Sequence, residues 1–277
     1  MERIYAVMDV LLPFNLFSYT FMKNALLAML LITPLFGLLG TMAVDNKMAF
    51  FSDALGHSAL TGIALGVVLG VGNQQLSMLI FGGIWAVLIP FIKQRSTTSA
   101  DTIISVFSST SIALGLVILS RGGAFAKYSN YLVGDILSVS PADLAGLACA
   151  LVITCVAWGY LFNPLLLSSV NAALARSRGM KAKGVEYAFV LLVAVTVMLS
   201  IRWVGVMLIN SLLILPAAAS RNVARNAAGY IRMSVVFSVF SGVVGLILSY
   251  FLNTSAGAAV VLVAAAIYFI TLPLRRR

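Results

Sequence analysis

Asp53 and His57, the only histidine in the chain, stand four residues apart in the run Ser52-Asp53-Ala54-Leu55-Gly56-His57-Ser58. On a helix that spacing puts both side chains on one face, about 40° apart around the axis. A carboxylate oxygen and an imidazole nitrogen are ligands that zinc and manganese accept. Both residues lie in or beside an apolar stretch, where an ionisable group is costly unless it meets a partner, a cavity or an ion. A structural role fits the same residues: Asp53 can cap the start of a helix while His57 bonds a carbonyl inside a bundle. Two ligands are too few for a site, so spacing alone leaves the two readings level. A twofold dimer with this face on its axis would bring together two Asp and two His, a four-ligand set.

The helix that must carry this pair continues through Gly62, Gly66 and Gly70, one glycine every fourth residue. Small residues at that spacing let membrane helices approach closely, so all three are expected to serve helix packing. Further along, residues 163–187 form the longest polar interruption after the first apolar segment. This interruption contains Ala175, Arg176, Arg178, Gly179, Lys181 and Lys183. Its first half suits a short helix closed by Gly179, either as an anchor for lipid headgroups or as a docking element for a protein. Cys149 and Cys155, six apart, fall on different faces of a helix and lack the spacing of a zinc or redox site.

The elements that position these residues follow from composition. Of 277 residues, 61% are hydrophobic and 9% charged, against about 25% charged in a soluble domain. Too little polar surface remains to face water. Apolar runs near 24–44, 54–72, 75–92, 102–119, 142–162, 186–201, 204–220, 231–252 and 256–272 are each long enough to span a bilayer. The expected fold is therefore all-α, one polytopic bundle of eight to nine spans covering residues 1–277, with 1–21 as an interfacial lead-in. The sixth and seventh runs are separated only by Arg202 and Trp203, which suits a tight hairpin or a broken helix. Pro216 points to irregularity near the end of the seventh.

With nine spans and an external amino end, thirteen of the 18 Lys and Arg residues fall on the cytoplasmic side. The net charge of +10 thus reports orientation rather than nucleic acid. No GxxxxGK[ST], GxSxG or HExxH motif occurs, so neither P-loop ATP hydrolysis nor a familiar hydrolase is expected.

Residues 48–66, 134–140 and 204–221 resemble, in order, the signature segments of the bacterial ABC-type zinc/manganese/iron permease family. Similarity runs from about residue 22 to the end. The resemblance implies a homodimeric permease of the type II import fold, multi-pass in a bacterial inner or plasma membrane with a cytoplasmic carboxyl terminus. ATP hydrolysis falls to separate cytoplasmic subunits, and metal arrives from an extracytoplasmic binding protein. No cofactor is held permanently; the divalent ion is the substrate. Asp53 and His57 correspond to the family's metal-pathway residues, and Ala175, Arg176 and Gly179 to its coupling helix within a cytoplasmic loop at 163–185. The chain departs from the family at Asn171, where an acid is frequent, and at Gly56, where serine is frequent. The alternative function is a stand-alone secondary metal-ion carrier, which would need no ATPase.

Overall fold

Apolar runs bounded by turn-forming residues become helices here because a helix satisfies every backbone group within its own segment. The computed structural model describes residues 2–11, 19–121, 128, 134–170, 175, 177–178 and 180–274. Its helices are α1 (Glu2–Leu11), α2 (Thr20–Asp45), α3 (Phe51–Val68), α4 (Gln74–Lys93), α5 (Ala100–Arg121), α6 (Pro141–Val170), α7 (Ala182–Val204), α8 (Val206–Val223), α9 (Ala227–Leu252) and α10 (Ala256–Thr271). Among the described residues nine helices, α2 to α10, are long and apolar enough to cross a membrane.

Three helices end in a turn with one left-handed residue, after which the next amide reaches back five residues. Lys47 (φ 56°) closes α2 with Met48 N donating to Ala43 O at 2.8 Å. Gly70 (φ 70°) closes α3 with Val71 N donating to Gly66 O at 2.8 Å, and Asn253 (φ 51°) closes α9 with Thr254 N donating to Ser249 O at 3.0 Å. Asn73 and Asn226 cap the starts of α4 and α9 by accepting from Leu76 N and Gly229 N.

Contacts fix the helix directions. Ser234 and Ser238 of α9 donate to Gly37 O and Thr33 O of α2 at 2.7 Å, an antiparallel seam. Gly40 of α2 lies against Leu213 of α8, and Asp45 at the end of α2 pairs with Arg221 near the end of α8, so these two run parallel. Lys93 in the last turn of α4 meets Glu186 in the first turns of α7 at 2.8 Å. One end of the bundle thus gathers Lys93, Lys181, Lys183 and Arg221; the opposite end carries Gly70, the turn Ile136–Ser138 and Gly205.

Two details sharpen the sequence expectation, at the junction of the sixth and seventh spans and at the amino end, and two differ from it. The sixth and seventh spans are joined through Gly205 alone, whose φ of 77° and ψ of 159° belong to a region that only glycine occupies readily. α8 then passes through Pro216 without a break, so the irregularity lies at Gly205, not at the proline. The polar interruption is narrower than 163–185, because helix continues to Val170 and resumes at Ala182. Residues 2–11 form a helix tied to α2: Lys23 pairs with Asp9 at 2.6 Å and Tyr5 Oη donates to Asn24 at 2.5 Å.

Candidate functional site

α3 is the helix most enclosed by its neighbours, and its small residues explain how. A Cβ on Gly62 would sit 3.0 Å from the α4 backbone at Met78 and Ser77, and one on Gly66 would overlap the Ser77 side chain. The third glycine of the strip, Gly70, meets nothing within 4 Å. It lies beyond the last residue of α3, where it supplies the left-handed turn, so its expected packing role is corrected to a capping one. On the other flank Thr61 donates to Ser111 O of α5, and Ser111 Oγ also accepts from Trp85 Nε1 of α4 at 2.6 Å. Gly56 admits α8: its missing Cβ would overlap Val206, the first residue of that helix.

These contacts bring Asp53 and His57 together. His57 Nε2 lies 3.4 Å from Asp53 Oδ1. Two donors on one tetrahedral ion with bonds of about 2.0–2.1 Å stand roughly 3.4 Å apart, so the pair is spaced as ligands of a common ion would be. Asn210 Nδ2 of α8 donates to the same Asp53 oxygen at 2.7 Å, and Ser108 Oγ of α5 approaches the other at 3.5 Å. Ser108 is eight residues into α5, roughly 12 Å from its start at the basic end. Asn210 is four residues into α8, roughly 6 Å from its start. The carboxylate is therefore met by side chains from α3, α5 and α8.

Its own chain leaves part of the pair uncovered: side-chain exposure is 40% for Asp53 and 23% for His57. His57 Nδ1 and Asn210 Oδ1 are buried without a hydrogen-bond partner among the described residues. No group of three or more His, Cys, Asp or Glu side chains placed to hold a metal occurs among them either. One protomer offers two strong ligands with amide and hydroxyl neighbours. The cation for which such a set suits is borderline, satisfied by nitrogen and oxygen together.

Asn210 and Ser108 were not singled out by sequence. Asn210 gave one signal, as the only amide side chain in the apolar run 204–220, and such polar intrusions mark function in membrane helices. Of the coupling residues, Ala175 is fully buried and its carbonyl accepts from Met180 N at 3.1 Å. Arg176 and Gly179, with Asn171, lie outside the described residues. Cys149 and Cys155 are unpaired and exposed on the flank of α6.

Comparison with known proteins agrees with this architecture. The family model described as "ABC 3 transport family" matches residues 18–275. The "high-affinity zinc uptake system membrane protein ZnuB" of Haemophilus influenzae is 33% identical over 254 residues, covering 91% of this chain and 97% of the relative. The "manganese import system permease protein ScaB" of Streptococcus gordonii is 30% identical over 262 residues, covering 93% and 92%. Among solved structures, "PsaBC from Streptococcus pneumoniae in complex with Fab" superposes with a TM-score of 0.80 at 27% identity, covering 98% of this chain and 95% of that one. A match that spans almost the entire chain, with the same helical fold, leads to one conclusion: the protein belongs to the ABC 3 transport family.

Proposed function

We propose that this chain is the membrane permease of an ATP-driven importer for zinc or manganese. The observation that carries the reading is the similarity, along nearly the full length, to permeases of a zinc and a manganese uptake system. ATP hydrolysis belongs to a separate subunit in this arrangement.

The basic end of the bundle faces the cytoplasm under the positive-inside rule, which also puts the carboxyl terminus there. An ion descending from the opposite side loses water, and Asp53 Oδ1 and His57 Nε2 replace part of its shell. A second copy of the chain, related by a twofold axis, covers the exposed part of the pair and supplies two more ligands. A half-exposed carboxylate within a membrane bundle favours such a partner, since lipid would leave its charge unsatisfied. Conduction requires that the ion leave again, so the pair holds it only transiently.

Coupling to the ATPase runs through the segment holding Ala175, Arg176 and Gly179. α7 rises directly from that segment, Glu186 ties α7 to Lys93 of α4, and α4 packs on the Gly62 and Gly66 face of α3. Movement imposed at the coupling segment thus has a packed route to the helix bearing Asp53 and His57. The test is uptake by vesicles holding the chain with its ATPase, supplied with metal-loaded binding protein. Uptake should require ATP; accumulation driven by an ion gradient without ATPase would assign the chain to secondary carriers instead.

A further inference from the structure

Asn210 is an unusual choice for its position. It stands in a largely apolar stretch of α8, and its Oδ1 is buried without a partner among the described residues. An unpaired buried acceptor lowers stability, so packing does not explain the residue. Its other end is engaged: Nδ2 donates to Asp53 Oδ1 at 2.7 Å, the shortest side-chain contact that the Asp53 carboxylate makes. The amide cannot be turned over, because its oxygen would then face a carboxylate oxygen with no proton between them.

We propose that Asn210 is a positioning residue for metal transport, holding Asp53 Oδ1 at the separation from His57 Nε2 that a single ion can bridge. The inference rests on the metal-pathway reading of Asp53 and His57. Asp53 sits in the first turn of α3, and 40% of its side chain is uncovered. Ser108, at 3.5 Å, restrains it weakly. Without Asn210 the carboxylate regains its rotamer freedom, and the two ligands no longer stand ready for one ion. Hydrogen bonds to ligating groups have this effect in metal sites generally, where removing one lowers affinity or activity roughly 10–100-fold. The contact also places α8, and with it the Gly205 junction five residues before Asn210, in direct touch with the site.

The experiment titrates the purified full-length dimer, in lipid nanodiscs, with zinc or manganese ions against a competing chelator. Asn210→Ala should bind metal roughly 10–100-fold more weakly, with unchanged yield and dimer content. Asn210→Ser, which keeps a donor on a shorter arm, should recover part of the loss, a graded response that a packing role does not produce. Asn210→Leu fills the volume without a donor and should behave as alanine does. Wild-type binding by Asn210→Ala alongside loss in His57→Ala would overturn the positioning role and leave the pathway intact. Wild-type binding by both would overturn the pathway assignment itself. Failure of the alanine and leucine variants alike to assemble would make Asn210 a packing residue and also overturn the proposal.

Discussion

Gly56→Ala is the substitution whose effect can be worked most fully from the structure. A Cβ at residue 56 would fall on the Val206 side chain, overlapping Cγ1, with Cβ and Cγ2 each at 3.1 Å. Carbon atoms rest at about 3.5–4.0 Å, and a valine has little rotamer freedom on a helix, so the neighbour cannot simply swing aside. α8 must retreat from α3 by an amount on the order of 1 Å. Overpacking of this kind costs about 1–3 kcal/mol. The same retreat stretches the Asn210–Asp53 bond, four residues along α8, from 2.7 Å towards the limit of a hydrogen bond. Purified Gly56→Ala should therefore unfold at lower temperature in detergent and bind metal more weakly. Val206→Ala removes Cγ1 and Cγ2 and leaves one contact at 3.1 Å, so the double variant Gly56→Ala/Val206→Ala should recover most of both losses. A Gly56→Ala protein as stable as wild type, or a double variant no better than the single one, would refute the reasoning.

Other perturbations separate the roles assigned to neighbouring groups. Gly66→Val should disrupt α3–α4 packing and reduce the yield of folded protein sharply, because its Cβ would lie 2.7 Å from Ser77 Cβ. Gly70→Ala should cost only about 1–2 kcal/mol for the left-handed backbone, since open space surrounds it; thermal unfolding of both variants checks the contrast. Reversing one charge, Lys93→Glu or Glu186→Lys, should lower uptake per ATP hydrolysed if the 2.8 Å contact transmits motion from the coupling segment. The double reversal should restore it, and equal coupling in all three variants would remove the pair from the route.

The spans were legible because twenty-residue apolar runs have few alternatives in a bilayer, and the pair on α3 because ionisable groups are rare inside such runs. Helix ends were less so. Asn163, Pro164, Ser168 and Ser169 read as loop formers, yet Ser168 Oγ donates to Pro164 O and Leu165 O at 2.9 Å, and Ser169 Oγ to Leu166 O at 2.9 Å. The hydroxyls satisfy local carbonyls, and the helix runs on. The every-fourth spacing of glycines extended past the end of α3, so Gly70 looked like its neighbours although a different turn geometry required it. Asn210 and Asp53 are separated by 157 residues, and no local pattern announces a contact of that range. Gly205 left a clearer trace, lying just after Arg202 and Trp203 where a break was expected, but its left-handed backbone is a property of the fold that bends there.

The account stands most directly on whether Asp53 and His57 handle the metal. ATP-driven uptake should be measured at fixed pH from metal-loaded binding protein, comparing wild type and His57→Ala at equal membrane abundance and equal ATPase association. Alanine supplies no ligand to an ion that has shed water, so the variant should assemble normally and show no uptake. Uptake by His57→Ala at the wild-type rate would contradict the assignment and return His57 to a packing role.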